Sequence, residues 1–403
     1  MLALFHRATE YDQRMQGARW TIACICLLHL QIQTLAQFPM LRFKHYTIKH
    51  GLPQNTVLCI AQDQQGFIWL GTQDGLCRYD GYSFRVFRHR PNDSTTPSVN
   101  YITRLHVARD GTLWIGTADG GLNAYNYRTQ RFTVHMHKPE NPHSIADNTI
   151  QALYEDQDGT IWVGTEHGGL SIFSPKQQHW KRLNFKTLDG HILSKNRVYA
   201  ILKDHQGTIW VGTYGDGLYC FRPSDSTLVQ RYCYHPANPQ GLNSNIITSL
   251  HEDSNGNLWI GTIGGGISRL DTRRQHFTRF VHVPSDPSTL SNNSVWSIER
   301  DSLGSIWIAT NDGLNLFDHT TERFLHYKHN PSDPSSLSDN LLARTKLFCD
   351  RHGVVWIGTN VGGVNTLDIH QKKFYSFRQF VSSQNVYSAS GQAVRALYED
   401  HYG

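Results

Sequence analysis

The chain has 403 residues, with 33 glycines, 10 tryptophans, 18 tyrosines and 18 phenylalanines and only 18% charged residues. That balance favours turn-rich β structure over helices. A formal net charge of +5 without a run of Lys and Arg excludes a nucleic-acid footprint.

In chain order, residues 1–37 read as an export signal. Arg19 precedes an apolar stretch, 20–30, and then Thr34, Leu35 and Ala36, with small residues suited to cleavage before Gln37 and a mature chain from near Phe38. The stretch is too short to cross a bilayer as a helix, which takes about 20 residues. Met15 is a plausible start that places Arg19 in a short positive segment, and an uncleaved anchor is the alternative reading. Beyond the signal, Cys59, Cys77, Cys220, Cys233 and Cys349 show no CxxC spacing, so neither a disulfide framework nor a zinc site is expected.

Residues 42–50, with Phe43 and Tyr46, look like an outer strand without its blade. After them a repeat dominates. Six segments, 63–72, 156–165, 204–213, 253–262, 301–310 and 350–359, read DxxGxxWxxT. A seventh keeps Gly111, Trp114 and Thr117 but has Ala108 for the Asp. The tryptophans Trp69, Trp114, Trp162, Trp210, Trp259, Trp307 and Trp356 lie 45, 48, 48, 49, 48 and 49 residues apart.

Each unit parses into four strands. Strand a follows an Asn (Asn55, Asn100, Asn148, Asn196, Asn245, Asn293, Asn340), with an apolar residue two on, from Val57 to Leu342. A Gly turn leads to strand b with the Trp, apolar on both faces and so buried on both sides. A Gly-rich turn leads to strand c, ending at Tyr79, Tyr125, Phe173, Phe221, Leu270, Phe317 or Leu367, and an aromatic-rich strand d follows. Four strands per unit make one propeller blade. The predicted fold is an all-β, seven-bladed β-propeller of four-stranded antiparallel blades over residues 38–371, with each Trp in the layer between blades. Closure by residues 42–50 as the outer strand of the seventh blade leaves 372–403 as the start of an eighth repeat in a second, truncated propeller.

The units 63–79 and 156–173, with Gly51, Leu52, Pro53 and Asn55 before the first and the linkers 283–293 and 330–340, resemble two-component regulator propeller repeats. The resemblance covers nearly the whole mature chain. It implies the periplasmic sensor region of a hybrid two-component histidine kinase of Bacteroidetes type, binding an oligosaccharide or other small periplasmic ligand. It also implies a homodimeric full-length receptor attached to the membrane through C-terminal parts outside this chain.

The b to c turns and d to a linkers share one face. Residues there that break the repeat are the candidates for function. At the first and third positions after the strand-a Asn the outliers are Tyr101, Arg197, Tyr199 and Trp296, whose aromatic faces suit sugar rings and whose Arg suits a carboxylate. On the b to c turns, Asp74, Asp119, His167, Tyr214, Asp216 and Asp312 differ between blades, although turn chemistry alone explains Asp there. The repeated Asn reads as a cap on the linker. The repeated Asp reads as a tight turn, since its spacing supplies too few oxygens for calcium. No catalytic set and no cofactor is expected. A protein-interaction scaffold and a propeller lyase or dehydrogenase are the competing functions.

Overall fold

The computed structural model describes residues 41–183, 197–222, 227–238, 240–370, 380–381 and 386–387. The expected signal, Asn196 and nearly all of the expected eighth repeat lie outside the described residues. Seven four-stranded antiparallel sheets form the blades of a propeller. In blades one to six the strands a to d are neighbours in chain order. The inner strands are Val57–Gln62, Ile102–Val107, Ile150–Glu155, Val198–Lys203, Ile247–Glu252 and Val295–Arg300, followed in the seventh blade by Leu347–Cys349.

The seventh blade takes its outer strand from the start of the chain. Lys44–Tyr46 pairs antiparallel with Val364–Asp368, Lys44 opposite Thr366 and Tyr46 opposite Val364. Phe43 joins the cluster around Leu347, Val355 and Leu367, and the Tyr46 ring stacks on Trp356, with centroids 6.2 Å apart. A single 3-10 turn, Ile48–His50, is capped by the Thr47 side chain and ended by Gly51 at φ 107°. The pair Phe380–Val381 and Val386–Tyr387 forms a separate two-stranded sheet.

Burial follows the period of the repeat. All seven tryptophans are in strand b or its equivalent and none is more than 5% exposed. Each lies in an apolar cluster with strands b and c of the next blade: Trp69 with Leu113 and Ile115, Trp259 with Ile306 and Ile308, and Trp356 with Ile68 and Leu70 across the closure. A twisted four-stranded sheet has two apolar faces, and radial packing buries both.

The repeated Asp carries more than a turn. In blade five, Asp253 Oδ1 accepts from the Asn255 and Asn257 amides while Oδ2 accepts from the Trp259 indole N–H at 2.9 Å. Asp63, Asp204, Asp301 and Asp350 bond their tryptophans in the same way, at 2.7–2.8 Å. The strand-a Asn caps the linker as expected: Asn293 Oδ1 accepts from His282 N at 2.7 Å, and its carbonyl accepts from Gly266 N.

The Gly of WxGT records how closely the blades approach. A Cβ at Gly212 would lie 2.5 Å from Ile247 Cγ2 in the next inner strand. Blade six has Ala309 at this position, and it faces the blade whose inner strand begins late.

The expected start of that strand is corrected by the structure. Strand a begins two residues after the Asn in blades one to six, but at Leu347 rather than Leu342 in blade seven. The cause is two extra residues: Asn340 and Asp350 are ten apart where the other units have eight. The surplus turns back on itself, with Arg344 at φ 60°.

Replacing Asp253 by Ala orphans the buried Trp259 indole N–H together with two turn amides, an expected loss of about 2–4 kcal/mol. Chemical denaturation checks this, and a change under about 0.5 kcal/mol would remove the Asp–Trp bond from the account.

Candidate functional site

The site is built by the first residues of the inner strands. In blades one to six the a–b pairing slips at the second strand residue, for example between Ile102 and Arg104 and between Val295 and Ser297. A bulge re-aims the side chain it carries. Leu58, Thr103, Gln151, Tyr199 and Trp296 occupy such positions and line one small opening on the propeller axis, together with Tyr101, Arg104 and Arg344. The opening has a volume of only about 30 Å³. Below it lies a chamber of about 160 Å³ walled by Cys59, Arg104, Ala152, Tyr199, Ala200 and Lys346 and by aliphatic residues such as Leu105, Leu153 and Leu347.

The nine sequence candidates separate into three groups. Tyr101, Tyr199 and Trp296 come together at the axial opening. Trp296 is held by its indole N–H, which donates to Asn311 Oδ1 at 2.7 Å. Arg197 and Tyr214 stand beside Tyr199. The Tyr199 hydroxyl donates to Glu166 Oε2 at 3.1 Å, Arg197 Nε meets Glu166 Oε1 at 3.1 Å, and the Tyr199 and Tyr214 rings are 5.0 Å apart. Burial and the Glu166 carboxylate push the Tyr199 phenol up to about 12, so it stays a donor.

The third group is bound into the rim. Asp74 pairs with Arg88 at 3.0 Å and accepts from Asn100 Nδ2. Asp119, at φ 66°, accepts from the Thr149 hydroxyl at 2.7 Å. Asp312 pairs with Lys328 at 2.6 Å. Asp216, in the same turn of blade four, accepts from Tyr219 Oη and Arg231. His167 is exposed, and its backbone amide donates to Asp147.

Sequence reasoning missed Glu166, Arg104, Arg344, Lys346 and Glu299. Glu166 opens the b to c turn beside His167, at the position Tyr214 holds in blade four, and was not singled out there. Arg104 lies one residue past the two positions compared after each Asn. The Asn340 to Asp350 spacing of ten was a legible sign of the surplus that places Arg344 and Lys346 on the axis.

Glu299 is held protonated further up the pH scale than an ordinary carboxylic acid, to about 7, because burial outweighs the help of Lys346. Lys346 is pushed down to about 8 by burial and by Arg104. Among the described residues no group of three His, Cys, Asp or Glu gathers as a metal site. No helix of the described residues is long and apolar enough to cross a membrane.

A second concavity, about 630 Å³, lies between blades two and three at the a to b turns, with Arg109, Asp110, Trp114, Glu155 and Lys176 on its walls. It is larger than the axial space, but it opens away from the b to c turns that carry the outliers.

The sequence profile of the family described as two component regulator propeller matches residues 51–74, 96–119, 144–167, 192–215, 241–264 and 289–312. The extracellular domain of BT3049 from B. thetaiotaomicron, assigned as a hybrid two component system, is 26% identical with a TM-score of 0.69, over 81% of this chain and 42% of that one. The extracellular domain of BT4673 from the same organism, at 24% identity and a TM-score of 0.65 over 83% of this chain and 40% of that one, shares the fold. So does virginiamycin B lyase from Staphylococcus aureus, at 12% identity and a TM-score of 0.58 over 81% of this chain and 99% of that one. Histidine kinase P4 of Formosa agariphila is 44% identical over 69 residues, 17% of this chain and 5% of that protein. The chain thus spans about two fifths of the two extracellular domains and a small fraction of the kinase.

The folded chain holds the Glu299 proton more tightly than the unfolded chain does. Its contribution to stability is therefore complete below its ordinary value of 4.5 and is lost as pH rises through about 7. Lys346 runs the other way, its contribution complete above 10.5 and lost as pH falls through about 8. In thermal melts from pH 4 to 8, the parent is expected to lose stability relative to Glu299→Gln between about pH 4.5 and 7. A constant difference across that window would contradict the assignment.

Proposed function

We propose that this chain, whose blades carry two-component regulator propeller repeats, is the ligand-binding part of an extracellular sensor region coupled to a histidine kinase, with an oligosaccharide held at the axial opening. The sensor class is supported by those repeats and by the likeness to the BT3049 extracellular domain. Export to the periplasm fits the same reading. Phosphotransfer in it belongs to parts of the parent protein beyond these residues.

One observation carries the ligand site. Blades two, four and six, far apart in sequence, bring Tyr101, Tyr199 and Trp296 to one opening. Sugar rings present C–H faces that stack on aromatic rings, and hydroxyls that pair with Gln151 and Tyr199. An opening with room for about one water admits only a substituent, so the sugar ring rests on the rim rather than inside. Rigid strands hold these side chains, which lowers the ordering cost of binding.

Calorimetry against a panel of neutral and acidic oligosaccharides tests the reading. Trp296→Ala is expected to weaken binding at least about tenfold while leaving the melting temperature within about 2 °C, because the residue sits at a strand end outside the inter-blade clusters. No heat with any saccharide would favour a protein-interaction scaffold.

A further inference from the structure

The chamber beneath the opening is where the chain departs most sharply from its own repeat. One register position, opposite the Gly of strand b, is filled by Cys59, Arg104, Ala152, Ala200 and Ser249, and by Ser297 opposite Ala309. Lys346, directly before Leu347 in its pairing with Ile357, takes that register in blade seven. Five blades therefore place a small side chain here and two place a long cation.

Arg104 and Lys346 wall the same chamber, and Arg104 also reaches the opening, where Arg344 stands. Arg104 is half-buried and faces the chamber. It donates from Nη1 to its neighbour's carbonyl, Thr103 O, at 2.7 Å, while its Nε has no hydrogen-bond partner among the described residues. The groups that act on it most strongly are Cys59, Tyr199, Arg344 and Tyr101, none of them a carboxylate. Glu299 acts on Lys346 but holds its proton to about 7.

Two half-buried cations facing one confined space, with an exposed third at its lip, repel each other, and the inner two lose part of their hydration. A propeller that needed only to fill the position has the Ala and Ser of its other blades to do so. An unpaired guanidinium in such a place has a planar fork suited to an oxyanion.

We propose that the chamber is an oxyanion site, in which Arg104 and Lys346, with Arg344 at the lip, take the carboxylate or sulfate of an acidic saccharide whose ring rests on Trp296 and Tyr101. The saccharide part rests on the axial reading given above, and the oxyanion part does not. The narrow opening suits this division: a carboxylate or sulfate passes through where a sugar ring does not. Selectivity follows from charge, since a neutral sugar leaves the cations unpaired.

Titration calorimetry and thermal melting of the propeller with a glucuronate-bearing disaccharide, a sulfated one, the neutral counterpart and inorganic phosphate provide the test. The acidic sugars are expected to bind at least about tenfold more tightly than the neutral one, and phosphate to bind weakly and compete. Arg104→Gln is expected to lower acidic-sugar affinity about tenfold or more while changing neutral-sugar affinity less than about twofold, with a melting temperature unchanged or raised. Lys346→Gln provides the same comparison if Arg104→Gln does not fold. Equal affinity for acidic and neutral sugars, or acidic-sugar binding indifferent to both substitutions, overturns the oxyanion site and leaves the aromatic rim standing. Phosphate binding that depends on Arg104, without binding of any sugar, retains the oxyanion site and removes the saccharide. No binding of any probe removes both.

Discussion

An indole wedged between neighbouring sheets, with its N–H tied to an Asp six residues earlier, is the contact on which the rest of this structure depends. An aromatic of this size buries on the order of 200 Å². Its one polar atom would be a liability in that layer without a partner, and the Asp supplies it. The same carboxylate caps the turn before strand b, so one residue fixes both the turn and the wedge. Two blades vary the scheme. Blade two has Ala108 in the Asp position, and in blade three Asp156 is engaged by Lys203 at 2.6 Å while the Trp162 indole N–H has no partner among the described residues. The large concavity between blades two and three lies where the regular scheme lapses.

Radial packing has a geometric consequence for function. Seven inner strands converge, so the first residue or two of each are brought within reach of the others however far apart they lie in sequence. Repeated residues are committed to the seams between blades. Residues that differ are left to the axis, where they meet. The closing strand Lys44–Tyr46 completes the ring, and with it the circle of seams from Trp356 back to Ile68.

Much of this was legible in the sequence, because the seams recur at one period and their residues recur with them. Tryptophan spacing, the Asn before each inner strand and the clasp by residues 42–50 all follow from that regularity. Three of the four axial outliers, Tyr101, Tyr199 and Trp296, were legible as departures from it and do line one opening. Arg197 stands instead on Glu166. The acids of the b to c turns were less informative, since Asp74, Asp119 and Asp312 stabilise rim turns and pairs as Asp does in most turns. Glu166 escaped notice because a partner across two blades leaves no local pattern. Arg104 escaped because the blades were compared only at the first and third residues after the Asn, one short of it, and Lys346 because two surplus residues in blade seven shift its inner strand.

The central claim is that repeated packing builds the ring, and the proposal built on it is that divergence at the axis makes a binding surface. A crystal structure of the propeller soaked with a glucuronate-bearing disaccharide tests it most directly. The account predicts ligand density over Trp296 and Tyr101, with the carboxylate directed at Arg104. Density in the concavity between blades two and three, with an empty axis, would contradict it.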